Sequence, residues 1–254
     1  MAFQNIFLLI FAPFIGSFLG LLILRLPTGR DIVFGRSICD SCGVQLAARD
    51  LIPLASWLVL RGKCRSCGAA IGWLAPALEL AAFGIAFWAV LVLPSDGALP
   101  WIGAALGWTL LTLALIDARH FLLPDVLTLP LIPAGLLVTW WGDQNTVGPG
   151  LLLHHLAGVL IGFGGLYGIG WVYKRLRGRE GLGVGDAKLM AAAGAWVGWA
   201  GLGSVMLWAA LPALVATVIW GRMRGTLSAS MAVPFGTFLA FGFWLTWLYG
   251  PLGF

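Results

Sequence analysis

Charge is the scarcest property of this 254-residue chain: Asp, Glu, Lys and Arg together make up 10% of it, against about 25% in an ordinary soluble domain. So few charges cannot keep the surface of a globule polar, which excludes a water-soluble fold. No small-residue cleavage site follows the first apolar run, Ile6 to Leu24, which ends instead at Arg25; this predicts an anchor rather than a signal peptide. Cysteine is absent except between residues 39 and 67. No glycine-rich nucleotide loop follows a strand pattern, so a Rossmann-type site is not indicated.

What is present is apolar: 60% hydrophobic residues and a mean hydropathy of +0.96. A helix needs about 20 apolar residues to cross the hydrocarbon core. Apolar runs at 6–24, 73–93, 101–118, 125–141, 151–173, 187–200, 203–220 and 232–250 predict about eight transmembrane helices. The expected fold is an all-α polytopic membrane protein with one small polar domain. The expected divisions are 1–26 as the first transmembrane helix, 27–72 as a cytoplasmic metal-binding domain, and 73–254 as a seven-helix membrane domain.

Running the first span outside-to-inside places residues 27–72, 119–124, 174–186 and 221–231 on one side. All 15 Lys and Arg then lie on or next to that side, Arg36 among them, while the opposite loops carry only Asp96 and Asp143. By the positive-inside rule the basic side is cytoplasmic. The net charge of +5 is thus topological, and nucleic-acid binding is not implied. Trp101, Trp140, Trp141, Trp199 and Trp247 fall near the predicted outer ends, where amphipathic rings favour the headgroup layer.

Cys39, Cys42, Cys64 and Cys67 form two C-x2-C pairs separated by 21 residues. Paired thiolates at this spacing make a closed, tetrahedral four-cysteine zinc site, and a reducing cytoplasm argues against disulfides. With no open coordination position the zinc is structural, holding together a segment too short for a substantial core.

A second constellation lies at the ends of apolar spans, where each buried charge must be offset. Asp117 closes the third span, and Asp186 opens the sixth within Gly181-Leu182-Gly183-Val184-Gly185-Asp186-Ala187-Lys188. Two aspartates at one membrane depth on different helices can converge and share a proton, as in aspartic proteases. The simpler alternative is that both cap helix ends or pair with Arg119 and Lys188. Gly183 and Gly185 let backbone approach Asp186, Asp125 follows Pro124 at a helix start, and Lys188 tunes the local field or pairs with Asp186. His120 could face Asp117 only if its helix continues, and His154 and His155 sit at the outer face. A carboxylate seven residues into the second span, Glu79, is a functional candidate or a partner for Arg25. A transporter or channel using Asp117, Asp186 and Glu79 for protons or cations is the rival reading, but it requires polar groups near the midplane rather than at the rim.

These residues resemble the type 4 prepilin peptidases, a family of membrane aspartic proteases. The resemblance is carried by Gly16-Ser17-Phe18-Leu19, Arg25-Leu26-Pro27, the cysteine pairs, Ile52-Pro53-Leu54, Ser56-Trp57, Arg61-Gly62, Leu123-Pro124-Asp125, the Gly-x-Gly-Asp segment at 183–186, and Val233-Pro234-Phe235-Gly236. It implies catalytic roles for Asp117 and Asp186, and an inner-membrane protein with its active site in the cytoplasm. It also implies that the protein cleaves prepilin and pseudopilin leaders for type IV pilus or type II secretion assembly. Methylation of the new amino terminus from S-adenosylmethionine is implied too, with Glu79 matching the family's glutamate. The chain departs from the family pattern at Gly20, at Leu51 and over Gly72-Trp73-Leu74-Ala75-Pro76, all on the side associated with methyl transfer.

Overall fold

The computed structural model describes residues 3–31, 37–39, 41–94, 97–146, 150–179, 181–223 and 233–253. Arg36, Asp96 and the side chain of Asp143, which entered the charge argument, lie outside the described residues. Among the described residues there are eight α-helices, two short 3-10 turns (Leu26–Thr28 and Ala48–Leu51) and no strand beyond two isolated bridges. The chain divides into two compact units, Met1–Trp108 and Thr109–Phe254.

In the first unit, α1 (Phe3–Arg25) packs along α3 (Leu74–Val92), with the short α2 (Ala55–Val59) in the polar segment between them. A side chain at Gly16 would lie 2.6 Å from the Glu79 Cα, so the two backbones meet there without an intervening side chain. Trp108, on α4 (Leu99–His120), donates its indole N–H to the Ala82 carbonyl at 2.9 Å.

In the second unit, α7 (Val184–Met223) is the hub, packed against α5 (Asp125–Thr146), α6 (Gly150–Arg177) and α8 (Phe235–Tyr249). Small residues set the spacing, as in other lipid-embedded helix pairs: a side chain at Gly194 would strike the Gly158 carbonyl.

Among the described residues six helices are long and apolar enough to cross a membrane, and α8, with 15 residues, is a shorter apolar helix. The difference from the predicted eight has two sources. One is the length of α8; the other is that α7 merges the predicted sixth and seventh spans into 40 residues broken at Gly198. Gly198 has φ 69° and ψ 175°, a region essentially reserved for glycine. Next to the break the His155 ring bonds the Ala195 carbonyl at 2.9 Å and the Thr139 hydroxyl at 3.2 Å, so His155 is engaged within the helix bundle. Trp101, Trp140, Trp141 and Trp199 are exposed. Trp247 instead packs edge-on to Trp196 at 5.6 Å, because α8 turns it toward α7.

Candidate functional site

Asp117 lies in the last turn of α4, and its side chain is only 5% exposed although α4 ends three residues later. The N-terminus of α8 faces it. The first amides of a helix have no intrahelical partner, and Pro234, which precedes α8, supplies no side-chain cap. Asp117 takes that place: its Oδ2 accepts the Thr237 N–H at 2.8 Å and lies 3.2 Å from the Thr237 hydroxyl, and the Gly236 N–H points to the same carboxyl. A side chain at Gly236 would lie 3.0 Å from the Asp117 carboxyl carbon, so only glycine admits this approach.

Asp186 occupies the third position of α7 and is 8% exposed. Its Oδ2 accepts the Gly183 N–H at 3.2 Å while its own N–H donates to the Gly183 carbonyl at 3.1 Å, a reciprocal cap that fixes the side chain over the first turn. Each aspartate thus orders a helix start, which is the capping role the sequence allowed. Capping also holds the carboxyls facing one space. Both line a cavity of about 470 Å³ together with Phe121, Leu123, Asp125, Gly183, Gly185 and Lys188. They are near enough for their charges to interact.

The remaining sequence candidates fall into place around this cavity or outside it. Lys188 is bonded not to Asp186 but to both oxygens of Asp125, at 2.7 and 2.8 Å, tying the start of α5 to the second turn of α7. Two residues apart on one helix, Asp186 and Lys188 do not face each other. α4 does continue through His120, but that residue is exposed and does not line the cavity. Thr237 escaped the sequence reading, which stopped at Pro234-Phe235-Gly236. The available signal was a hydroxyl residue placed one position beyond the glycine at the opening of an apolar run.

In the first unit Glu79 is 5% exposed, with its Oε2 accepting the Leu54 N–H at 2.7 Å and its carboxyl bonded by the Ser17 hydroxyl. Arg25, offered above as its partner, instead donates to the Asp31 carbonyl at 3.0 Å. The Leu54 amide is aimed by an unusual turn. With φ 58° and ψ −49°, and with the Ala55 N–H reaching the Pro53 carbonyl at 2.5 Å, it forms a γ-turn of the strained, positive-φ kind. Glu79, Ser17, Leu51, Ser56, Trp57 and Cys64 line a separate cavity of about 140 Å³ within this unit.

The four cysteines form two matching hairpins. The Cys39 and Cys64 carbonyls each receive a glycine amide four residues on, from Gly43 and Gly68, and the amide of each cysteine donates to a carbonyl opposite, at Val44 and Ala69. All four Sγ atoms lie within 4.8 Å of one another. The Cys39–Cys67 separation of 3.8 Å matches the edge of a tetrahedron with metal–sulfur bonds of about 2.3 Å. The backbone N–H groups of Cys42 and Ser41 lower the Cys39 thiol to about 6, favouring the thiolate that binds metal. The donor set fits a metal ion closed on all sides by sulfur.

Two buried carboxyls from separate helices face one cavity that, among the described residues, no serine, cysteine or histidine lines, an arrangement that suits the aspartic class of proteases, here in a multi-pass membrane protein. Comparison with known sequences makes this specific. Residues 10–93 match the bacterial peptidase A24 N-terminal domain, and residues 104–220 match the type IV leader peptidase family. The prepilin leader peptidase/N-methyltransferase of Dickeya chrysanthemi is 39% identical, with 94% of this chain and 93% of that protein aligned. Proteins of the same name from Pseudomonas aeruginosa (38%; 87% and 73%) and Aeromonas hydrophila (36%; 98% and 91%) are also similar. No solved structure matches the chain. The chain belongs to the type IV leader peptidase family.

Proposed function

We propose that this protein cleaves the leader peptides of prepilins and pseudopilins at the cytoplasmic face of the bacterial inner membrane, with Asp117 and Asp186 as the catalytic pair. The observation that carries this reading is that two buried carboxyls from different helices line one cavity at helix ends. A transport pathway would need such groups near mid-membrane. One carboxylate takes a proton from water as the oxygen attacks the peptide carbonyl; the other donates a proton to the carbonyl oxygen, and the returning protons release the amine. Incubating the purified protein with a prepilin and reading the products by mass spectrometry tests it. Uncleaved prepilin under conditions where the protein is folded would overturn it.

Asp125 and Lys188 serve as supports in this reading. Their ion pair is solvent-accessible, with side chains 55% and 28% exposed, and such pairs contribute about 0–1 kcal/mol. Asp125→Asn is therefore expected to slow cleavage by no more than roughly fivefold. A variant as inactive as Asp117→Asn, yet normally folded, would show that a catalytic partner has been misassigned.

The polar segment 27–72 is proposed to hold one structural zinc through Cys39, Cys42, Cys64 and Cys67. The zinc supplies no step of the reaction; it supplies a fixed fold.

Methyl transfer is a second activity supported by one observation, the buried Glu79 carboxyl in the first unit's cavity with Ser17 and the Leu54 amide. There Glu79 would bind S-adenosylmethionine or the peptide amine. Leu51, one of the departures from the family pattern, lines the same cavity. Trp73, from another departure, packs at a tilt against Trp57, which lines the cavity, with ring centroids 4.4 Å apart. Replacing an asparagine hydrogen bond by an apolar side chain weakens binding roughly 5- to 150-fold. Cleavage with weak methylation is the expected result, and Leu51→Asn is expected to raise methylation at limiting donor without altering cleavage. Stoichiometric methylation by the unaltered protein at low donor concentration would show that these departures are tolerated.

A further inference from the structure

We propose that Thr237 divides the labour between the two aspartates: by fixing Asp117 Oδ2 as a hydrogen-bond acceptor, it makes Asp117 the carboxylate that takes the proton of the attacking water, on Oδ1, and leaves Asp186 to protonate the peptide carbonyl. The proposal rests on the catalytic pair proposed above.

The geometry restricts which oxygen can exchange a proton. Oδ2 of Asp117 receives the Thr237 N–H at 2.8 Å. One of its two lone-pair sites is thereby held by an amide that cannot move, because it belongs to the first turn of α8, and the Thr237 hydroxyl lies 3.2 Å from the same oxygen, at the other. Proton exchange is therefore confined to Oδ1.

The hydroxyl of Thr237 adds a response to charge. Oγ1 carries one proton and faces two acceptors, the Ala114 carbonyl at 2.9 Å and Asp117 Oδ2 at 3.2 Å. Ala114 and Asp117 are three residues apart on one face of α4, so a single rotation of the hydroxyl moves the proton's hydrogen bond between them. While Asp117 is charged, the bond to Oδ2 is charge-assisted, about twice as strong as a neutral one. Once Oδ1 has accepted a proton, that advantage disappears and the hydroxyl turns back to the carbonyl. Thr237 thus favours the charged form of Asp117 without touching substrate; it does not line the cavity. Among the described residues Asp186 has no equivalent. Its donor is the single Gly183 N–H, at the longer distance of 3.2 Å.

The resulting cycle balances. The water oxygen bonds the carbonyl carbon, one water proton passes to Asp117 Oδ1, and the proton of Asp186 passes to the carbonyl oxygen, giving a gem-diol. The amine nitrogen then takes the proton from Asp117 as the C–N bond breaks, and a diol hydroxyl returns its proton to Asp186. One water is consumed and both carboxyls regain their starting state.

The test compares Thr237→Ala, Thr237→Ser and Thr237→Val with Asp117→Asn and Asp186→Asn in one leader-cleavage assay, with thermal stability measured for each. Ala and Ser remove the same methyl group, but only Ser keeps the hydroxyl; Val keeps the shape without it. In Thr237→Ala and Thr237→Val, kcat is expected to fall roughly 10- to 100-fold, as for the loss of a hydrogen bond to a charged group, with KM little changed. Thr237→Ser is expected to recover most of the loss. Equal kcat in the Ala and Ser variants would overturn the proposal, as would a fall in kcat that tracks lowered stability in both. If Val alone misfolds, the Ala–Ser comparison still decides. Turnover retained in Asp117→Asn or Asp186→Asn would instead remove the catalytic pair itself, and this proposal with it.

Discussion

Asp117→Asn and Asp186→Asn are each expected to abolish leader cleavage while the protein inserts and folds normally. The size of the effect follows from the role: positioned acid–base groups contribute roughly 10²- to 10⁴-fold each, and losing either carboxyl interrupts the whole proton cycle. The mildness of the structural effect follows from the caps. An asparagine carbonyl can accept the Thr237 N–H or the Gly183 N–H as the carboxylate oxygens do. What disappears is the charge at a helix N-terminus, about 0.3–1 kcal/mol. The amide variants therefore separate the two explanations of these residues. If capping were their only role, both variants would keep cleaving; near-normal turnover in either, measured as processed prepilin per minute, would falsify the catalytic assignment.

The second large effect concerns the cysteines. Among the described residues between 37 and 72, only Pro53, Gly62 and Cys64 are buried, and Ile38, Val44, Leu51, Ile52, Leu58 and Val59 are all exposed. Such a segment has almost no apolar core, so its order must come from another source. Structural zinc binding is worth about 10–16 kcal/mol of folding free energy in small domains. Purified protein is expected to carry about one zinc per chain, set by a closed four-thiolate site. Replacing Cys39 or Cys64 by serine should lower that content, and replacing all four should eliminate it and expose residues 37–72 to limited proteolysis. Elemental analysis and a protease time course are sufficient; stoichiometric zinc in the fourfold variant would sink the assignment.

Apolar runs and the scarcity of charge made the helical membrane fold legible from the sequence, because a lipid solvent leaves little choice of secondary structure. The cysteine cluster was legible for a chemical reason: C-x2-C is the spacing of paired metal ligands, and a shared ion draws two such pairs together. Partner choice was less legible. Helix spacing turns Lys188 away from Asp186, two residues before it, but that Asp125 is the partner is settled only by packing α5 on α7. Glu79 shows the same limit, since its amide partner at Leu54 depends on a backbone turn that no side chain announces. Thr237 was hidden because its role is with a carboxyl 120 residues earlier, and hydroxyl residues near helix starts are common.

The break at Gly198 has a topological consequence. Leu123 lies against both Gly185 and Gly236: a side chain at either glycine would come within 3.1 and 2.9 Å of it. The chain therefore stands at the same depth where α7 begins and where α8 begins, and the number of membrane crossings between those points must be even. A straight 40-residue helix would be about 60 Å long, twice the hydrocarbon thickness, and would count as one crossing. Interrupted at Gly198, the same residues form two segments, which lets the chain turn back toward the side on which it started. The parity that returns Thr237 to Asp117 is thus set by a residue with no side chain, some 40 positions before it in the sequence.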